Sequence, residues 1–199
     1  MEPTTRRIVR IIAVVILSGL LLLTACQSFS FQAAQPTAAP THESPHGPMA
    51  VFHTPSGSFE VDYPVEWDDA EGDDRRCGTA LKCLISRQSE FMLVRESTLP
   101  GEGGAAALAE GLDRTIAAFD NETADSEFVS RTPVTLPSGL PAEVLRYVIE
   151  DGRVTVAELW AADGNQAVSI AFITWNEGFP ALEPVAQYVF DSLRLAESE

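Results

Sequence analysis

The most acidic stretch of the sequence lies between residues 68 and 74 and is a candidate cation site. Within seven residues it contains five carboxylates: Asp68, Asp69, Glu71, Asp73 and Asp74. Calcium takes six to eight oxygen ligands, and an EF-hand supplies them from a fixed twelve-residue loop that closes on a bidentate glutamate. That loop pattern is absent here, and two arginines follow directly. We expect a solvated acidic loop, with weak calcium binding as the alternative.

Residues with the types and spacing needed for catalysis are sparse. His53 lies near Ser56 and Ser58, but nucleophilic catalysis needs a base that is held near the nucleophile and oriented by a third group. The sequence indicates no such trio. It also contains no Gly-x-Ser-x-Gly turn, no phosphate-binding glycine loop and no His-Glu-x-x-His pair. We therefore predict a protein that is not an enzyme.

The N-terminus has the order of an export signal. Arg6, Arg7 and Arg10 precede an uncharged run of fifteen residues, Ile11–Ala25, which ends in small residues. A helix needs about 20 apolar residues to cross the hydrocarbon core of a bilayer. Because the run is shorter than that, we predict a cleaved signal peptide over residues 1–25 rather than a permanent span.

The signal ends in Leu23-Thr24-Ala25-Cys26, which matches the lipobox of bacterial lipoproteins. An aliphatic residue and two small ones precede a cysteine that would become the first residue of the mature chain and carry the lipid, palmitate among its acyl chains. The alternative is an ordinary signal peptide with an incidental cysteine. Gln27 is not the aspartate that often retains lipoproteins at an inner membrane. We expect a lipid-anchored extracytoplasmic protein, and an outer-membrane destination is allowed.

The charge of the chain restricts its partners. The formal net charge is −16, and removal of residues 1–25 makes it more negative because it deletes three arginines and one glutamate. Such a surface is repelled by nucleic acid and by anionic lipid. We therefore predict no nucleic-acid partner, and we predict that the acyl chains on Cys26 are the contact with the membrane.

The segment that follows the cysteine is predicted to be a tether. Residues 26–48 are rich in Pro, Ala and Thr and lack apolar periodicity, which is typical of a disordered linker. His42 and His46 lie four residues apart in it. Pro45 disfavours the helix on which that spacing could hold a metal. We expect both histidines to lie in a solvated linker.

Cys77 and Cys83 are predicted to form a disulfide. Outside the cytoplasm, two cysteines at this spacing are more often bridged than free. A redox pair is commonly Cys-x-x-Cys at the start of a helix, which is a closer spacing. Zinc would need four ligands, and only His53 is a further candidate nearby.

Residues 49–199 are long enough for one domain with a single hydrophobic core. Its C-terminal half predicts four strands of an antiparallel meander: Phe128–Leu136, Ala142–Glu150, Val154–Ala161 and Ala167–Trp175. Asp151-Gly152 and Asp163-Gly164 favour tight type I′ hairpins between them. Both faces of the third strand carry apolar residues, so we expect cover on both faces of the sheet.

Two helices are predicted to supply that cover. Gly104–Phe119 has Leu108, Leu112, Ile116 and Phe119 at helical spacing, with Asn121 as a C-terminal stop. A second helix, Ala181–Leu193, has Leu182, Val185, Val189 and Leu193 on one face, with Pro180 and Pro184 at its entry. Both apolar stripes indicate packing against a core.

The start of the domain carries a recognisable pattern. Phe59, Val61 and Tyr63 alternate with acidic residues as in a half-buried strand, Pro64 ends the strand, and Trp67 is expected to close the edge of the core. This Phe-x-Val-x-Tyr-Pro-x-x-Trp segment resembles the opening of PsbP-like domains. That family includes an extrinsic subunit of the photosynthetic oxygen-evolving complex and many bacterial lipoproteins. The resemblance implies an α+β fold, an antiparallel sheet of the meander and N-terminal strands sandwiched between helices, but no particular activity.

Two functions follow as hypotheses. The first is a non-catalytic binding or accessory domain that contacts another exported protein or a membrane complex. The second is a lipoprotein that binds a small ligand or a divalent cation such as calcium. No cofactor is predicted apart from the covalent lipid.

Overall fold

The structure, a computed structural model, describes residues 41–70, 77–99, 104–122 and 126–196. The described residues form two antiparallel sheets and two helices. The strands are β1 (Thr41–Ser44), β2 (Gly47–His53), β3 (Phe59–Pro64), β4 (Asp68–Asp69), β5 (Lys82–Ile85), β6 (Phe91–Thr98), β7 (Glu127–Thr135), β8 (Pro141–Ile149), β9 (Val154–Asp163), β10 (Gln166–Trp175) and β11 (Arg194–Leu195). The helices are α1 (Gly104–Glu122) and α2 (Phe179–Ser192).

The larger sheet has the strand order β4-β5-β6-β10-β9-β8-β7. Strands β7 to β10 are the predicted meander, and their bounds differ from the prediction by two residues at most. Both predicted type I′ turns differ in the structure. Between β8 and β9, Ile149 pairs with Val154, so the loop has the four residues 150–153 and not two. The turn between β9 and β10 has two residues but is of another type. Asp163 and Gln166 pair, so its central residues are Gly164 and Asn165, and only Gly164 has a positive φ. A glycine at the first central position is typical of a type II′ turn rather than the predicted type I′.

The first helix covers one face of the large sheet. Helix α1 packs on β9 and β7, and Leu108 and Leu112 lie buried in the cluster that it forms with the sheet. Tyr147, Val156 and Ala171 are among the sheet residues of this cluster. The helix continues past the predicted stop at Asn121 to Glu122. We call this side of the sheet the α1 face.

The second helix and the smaller sheet cover the opposite face. Helix α2 packs on β3, β9 and β10, and its predicted inward residues Leu182 and Val189 are buried. The helix begins two residues earlier than predicted, so Pro184 lies inside it and leaves the carbonyl of Pro180 without its helical donor. Neither of the two described helices is long and apolar enough to cross a membrane. The α+β sandwich with a helix on each face is confirmed, but β1, β2 and β3 form a second sheet instead of joining the meander in one sheet.

The smaller sheet corrects the predicted boundary of the domain. Its order is β1-β2-β3-β11, and β1 and β2 form a hairpin that starts at Thr41. Residues 41–48, predicted as tether, are therefore part of the fold. Pro45 and His46 form the turn between the paired residues Ser44 and Gly47. Gly47 has a φ of +97°, and Ser44 donates a hydrogen bond to its carbonyl at 2.7 Å. The rest of the predicted tether, residues 26–40, lies outside the described residues.

Candidate functional site

Four of the predicted site residues lie outside the part of the chain that the structure describes. They are the lipidation site Cys26 and three of the acidic candidates, Glu71, Asp73 and Asp74. Lipidation of Cys26 therefore stays a prediction.

The structure joins Cys77 and Cys83 in a disulfide. Their Cα atoms lie 5.7 Å apart, and the two residues are only 4% and 0% exposed. Cys83 pairs with Leu93 in the sheet, and both cysteines belong to the apolar cluster of the α1 face. Because a redox-active cysteine needs access to solvent, this burial favours a structural bridge over redox chemistry.

Replacement of both bridging cysteines by serine is expected to lower the free energy of unfolding by about 2 kcal/mol. The bridge closes a short ring, which restricts the unfolded chain only modestly in the chain-entropy model. Thermal unfolding should shift down by roughly 4–8 °C. Intact mass after alkylation without reduction provides the check on bonding. Two alkylated thiols at Cys77 and Cys83 in the exported protein would contradict the disulfide.

The two described residues of the acidic stretch lie on the edge strand β4. Asp68 and Asp69 pair with β5, and the Asp69 carboxylate forms an ion pair with Lys82 at 2.5 Å. Lys82 also lies 5.5 Å from the centre of the Tyr63 ring. Among the described residues, no three acidic, histidine or cysteine side chains are grouped as a metal site. Calcium binding by the whole stretch stays a prediction.

A charged cluster that the sequence did not predict lies on the smaller sheet. The strand register puts its five residues on one face. His53 and Arg194 both pair with Glu60, and Asp62 lies two residues from Glu60 on the same strand. His42 pairs with Met49, which lies four residues before His53 on β2. We call it the small-sheet cluster: His42, His53, Glu60, Asp62 and Arg194.

Arg194 joins the two carboxylates of the small-sheet cluster. Its guanidinium nitrogens lie 2.9 Å from Glu60 Oε2 and 3.3 Å from Asp62 Oδ1. The histidines contact the remaining oxygens, with His42 Nε2 at 2.9 Å from Asp62 Oδ2 and His53 Nδ1 at 3.2 Å from Glu60 Oε1. The side chain of Asp62 is only 7% exposed, so its charge requires such partners.

Helix α2 completes the surroundings of this cluster. Ser192 Oγ accepts a hydrogen bond from the Asp62 backbone N–H at 2.9 Å and donates to the Val189 carbonyl at 2.6 Å. The Tyr188 hydroxyl lies 3.4 Å from His42 Nε2, and the His46 ring contacts the Tyr188 ring edge-on. The serine hydroxyl is thus held by backbone groups. The arrangement links the N-terminal hairpin to the C-terminal end of the domain.

The sequence contains one signal for the small-sheet cluster that the prediction did not use. All three histidines of the chain, His42, His46 and His53, lie within twelve residues, and Glu60 and Asp62 follow at alternating positions. We expected His42 and His46 to lie in a solvated linker, and Glu60 and Asp62 to lie on a solvent-exposed face of a strand. Both expectations are wrong, because residues 41–48 form a hairpin in the small sheet, and His42 contacts Asp62 on β3, two strands away. The clustering of the histidines was the available signal.

A second polar group lies buried on the α1 face. The Tyr147 hydroxyl lies 3.3 Å from Glu158 Oε2, and these residues are 5% and 8% exposed. Two positions further along β9 lies Trp160, which pairs with Ser169 of β10. Trp160 Nε1 and Ser169 Oγ are buried and have no hydrogen-bond partner among the residues that the structure describes. Buried polar groups in native proteins are rarely left unpaired, so these two atoms mark an unusual position.

Burial raises the pKa of Tyr147 well above its ordinary value of 10, and the nearby Glu158 carboxylate raises it further. In the unfolded chain this phenol ionises near pH 10. The stability that its neutral form contributes is therefore complete below pH 10 and is lost as the pH rises towards the folded-state pKa. The loss is at most about 1.4 kcal/mol per pH unit.

We expect Tyr147→Phe to reduce the alkaline loss of stability. Tyrosinate absorbance should show that one of the three tyrosines ionises only together with unfolding. Tyr188→Phe is the matched control and should leave that late step in place. An early ionisation of all three tyrosines in the folded protein would contradict the burial of Tyr147.

An open groove of about 350 Å³ lies between the start of α1 and the β7–β8 pair. Its lining is mostly apolar and includes Leu108, Pro133, Val134 and Ala142. The one carboxylate in the lining, Glu143, accepts a hydrogen bond from Arg131 Nη2 at 2.7 Å. The charge of Glu143 in this groove is therefore already balanced by Arg131.

Comparison with solved structures identifies the fold. The solution structure of cyanobacterial PsbP (CyanoP) from Synechocystis sp. PCC 6803 matches 83% of this chain and 98% of its own, with 13% sequence identity and a TM-score of 0.58. The crystal structure of LpqN, involved in cell envelope biogenesis of Mycobacterium tuberculosis, matches 75% of this chain and 91% of its own, with 14% identity and a TM-score of 0.54. No protein-family model and no curated protein sequence matches the chain.

The domain thus has a PsbP-like fold, as the resemblance of its opening segment predicted. At 13% and 14% identity the likeness concerns the fold alone. A shared fold carries no activity with it, so the function has to be argued from the residues of this chain.

Proposed function

We propose that this protein is an extracytoplasmic lipoprotein whose PsbP-like domain is a non-catalytic binding or accessory module. Acyl chains on Cys26 hold it at the membrane, and the domain contacts another exported protein or a membrane complex. The observation that supports the proposal most directly is a PsbP-like fold in a chain that carries a predicted lipobox at residues 23–26.

The polar residues of the domain support a binding role over a catalytic one. In the small-sheet cluster, each histidine contacts a carboxylate that Arg194 also holds. The Ser192 hydroxyl, which contacts β3, forms hydrogen bonds with two backbone groups. These contacts tie strands and helix together, whereas a catalytic trio would leave a nucleophile facing substrate.

Charge supports a protein partner. The strongly acidic mature chain is repelled by nucleic acid and by anionic lipid headgroups. Large apolar side chains on the surface include Val129, which is 56% exposed on the edge strand β7, and Trp175, which is 51% exposed at the end of β10. Exposed apolar residues can contribute to a protein interface.

Mass spectrometry of the protein extracted from membranes in detergent tests the anchor. The expected N-terminal peptide begins at Cys26 and carries the mass of its acyl chains. An unmodified Cys26, or a chain that still begins at Met1, would contradict the lipoprotein assignment.

Photo-crosslinking in living cells tests the accessory role. A photoreactive residue at position 129 or 175 is expected to give a discrete adduct with one exported or membrane protein. The same residue at position 114, on the exposed side of α1, serves as a control for random collisions. Equal labelling from all three positions would contradict a specific interface at β7 or β10.

A further inference from the structure

Trp175 is the largest of the exposed apolar side chains that the structure describes, and its ring is 51% exposed. It pairs with Val154 on β9, and Val154 pairs with Ile149 on β8, so the three side chains form a row across the sheet. Ile173 lies two residues before Trp175 and packs in the cluster of the α1 face, so the row lies on that face. Val154 is 7% exposed and Ile149 is half-buried. The row is therefore covered at β9 and open at Trp175.

The backbone next to this ring is fixed by Asn176. The Asn176 side chain accepts a hydrogen bond from Thr155 Oγ1 at 2.5 Å and donates one to the Gly152 carbonyl. Its backbone N–H donates to the Arg153 carbonyl at 2.9 Å. These bonds tie the end of β10 to the turn between β8 and β9. A surface that is already ordered loses little conformational entropy when it binds, so the exposed ring is held ready for a partner.

The immediate surroundings of this ring are acidic. Glu150 and Asp151 follow the row on β8, and Glu177 follows it on β10. None of these three carboxylates forms an ion pair or a hydrogen bond with a residue in the described part of the chain. Arg153 is the cation of the same turn, and its Nε donates to the backbone carbonyl of Glu150 rather than to a carboxylate. We call these positions the Trp175 surface: Ile149, Glu150, Asp151, Trp175 and Glu177.

The neighbouring turn between β5 and β6 leaves this acidic excess unchanged. It lies beside the end of β10, because Phe91 pairs with Ile173, and it carries one cation, Arg87, and one carboxylate, Glu90. The formal charge of the whole chain is also strongly negative. Anionic lipid headgroups and a second copy of this chain would therefore be repelled, whereas a cationic partner would be attracted.

We propose that the Trp175 surface binds a segment of another protein that presents an arginine or a lysine. The cation would lie on the face of the indole, with its charge shared by the surrounding carboxylates. Tryptophan is the best aromatic partner for such a cation, and it is enriched among the residues that dominate binding at protein interfaces. This inference rests on the proposed function and narrows it, because it assigns the contact to the end of β10 rather than to β7.

Photo-crosslinking of the full chain in living cells, with the photoreactive residue at position 177, tests this contact while keeping the indole. We expect a discrete adduct with one protein, joined next to an arginine or a lysine of that protein. An adduct with lipid, with a second copy of this chain or at a site without a nearby cation would overturn the inference. An adduct from position 129 but none from 177 would overturn it and leave the accessory role in place. No adduct from 129, 175 or 177 would contradict both.

Substitutions on the Trp175 surface separate the indole from the charges. With the photoreactive residue at 177, Trp175→Ala should lower the adduct yield by roughly tenfold or more, as expected for a residue that dominates an interface. The double variant Glu150→Gln, Asp151→Asn keeps the size of both side chains and should lower the yield roughly two- to fivefold. Its control, Glu43→Gln with Glu110→Gln, removes the same charge from exposed positions elsewhere and should leave the yield unchanged. An unchanged yield in Trp175→Ala, or equal losses in the two double variants, would overturn the inference.

Discussion

Replacement of Phe172 by alanine is expected to lower the free energy of unfolding by about 3–5 kcal/mol. Phe172 is fully buried on β10, and its ring packs edge-on against Trp67 at 6.0 Å and against Phe190 of α2 at 5.7 Å. One side chain therefore joins the large sheet, the second helix and the edge that Trp67 closes. Its removal leaves a cavity that three separate elements would have to fill.

Urea denaturation followed by circular dichroism measures this loss. The midpoint should fall while the slope with denaturant stays constant, since the same surface is exposed on unfolding. Trp175→Ala provides the matched control on the same strand, because that ring is 51% exposed, and its effect should stay within about 0.5 kcal/mol. Similar losses in both variants would contradict the packing around Phe172.

The core around Phe172 was predictable because its signals are local. Strands β7 to β10 follow from apolar runs separated by turn residues, and both helices follow from apolar stripes at helical spacing. Trp67 was expected to close the edge of the core, and it does so against Phe172. Each of these inferences needs only the pattern within one element or between neighbours along the chain.

The N-terminal hairpin was not predictable because what stabilises it comes from distant parts of the chain. Pro45 and Pro48 read as linker, and β1 contains no apolar alternation. In the fold, His42 contacts Asp62, and the Tyr188 hydroxyl lies beside His42 from 146 positions away. A pattern of neighbouring residues cannot show such contacts.

The same cause explains why the polar sites were missed. Asp62 alternates with buried residues, a pattern that predicts a solvent-exposed position. In the fold, Ser192 and Arg194 from the C-terminal part of the chain form hydrogen bonds with Asp62. Likewise Trp160 and Ser169 were interpreted as ordinary strand residues. Only the register of β9 against β10 shows that their polar atoms lie together.

The largest effect on location is expected from loss of the lipid. In the variant, an ordinary cleavable export signal replaces residues 1–25 and serine replaces Cys26. This design matters because a Cys26→Ser change alone can leave the native signal uncleaved, and its apolar run would then hold the chain at the membrane. The wild-type protein should fractionate with membranes, and the variant should appear as a folded, soluble domain with an unchanged Tm.

The variant is expected to leave the membrane because the acyl chains are the main attraction that we propose between the mature chain and a bilayer. Acyl chains contribute about 0.8 kcal/mol per buried CH₂, and two or more chains give a stable anchor. The acidic domain gains nothing from anionic headgroups. A double Cys77→Ser, Cys83→Ser variant keeps Cys26 and should remain in the membrane fraction, which separates lipidation from a general effect of thiols. Retention of the serine variant after signal removal would show that another surface of the domain contacts the membrane, and the charge argument would then be wrong.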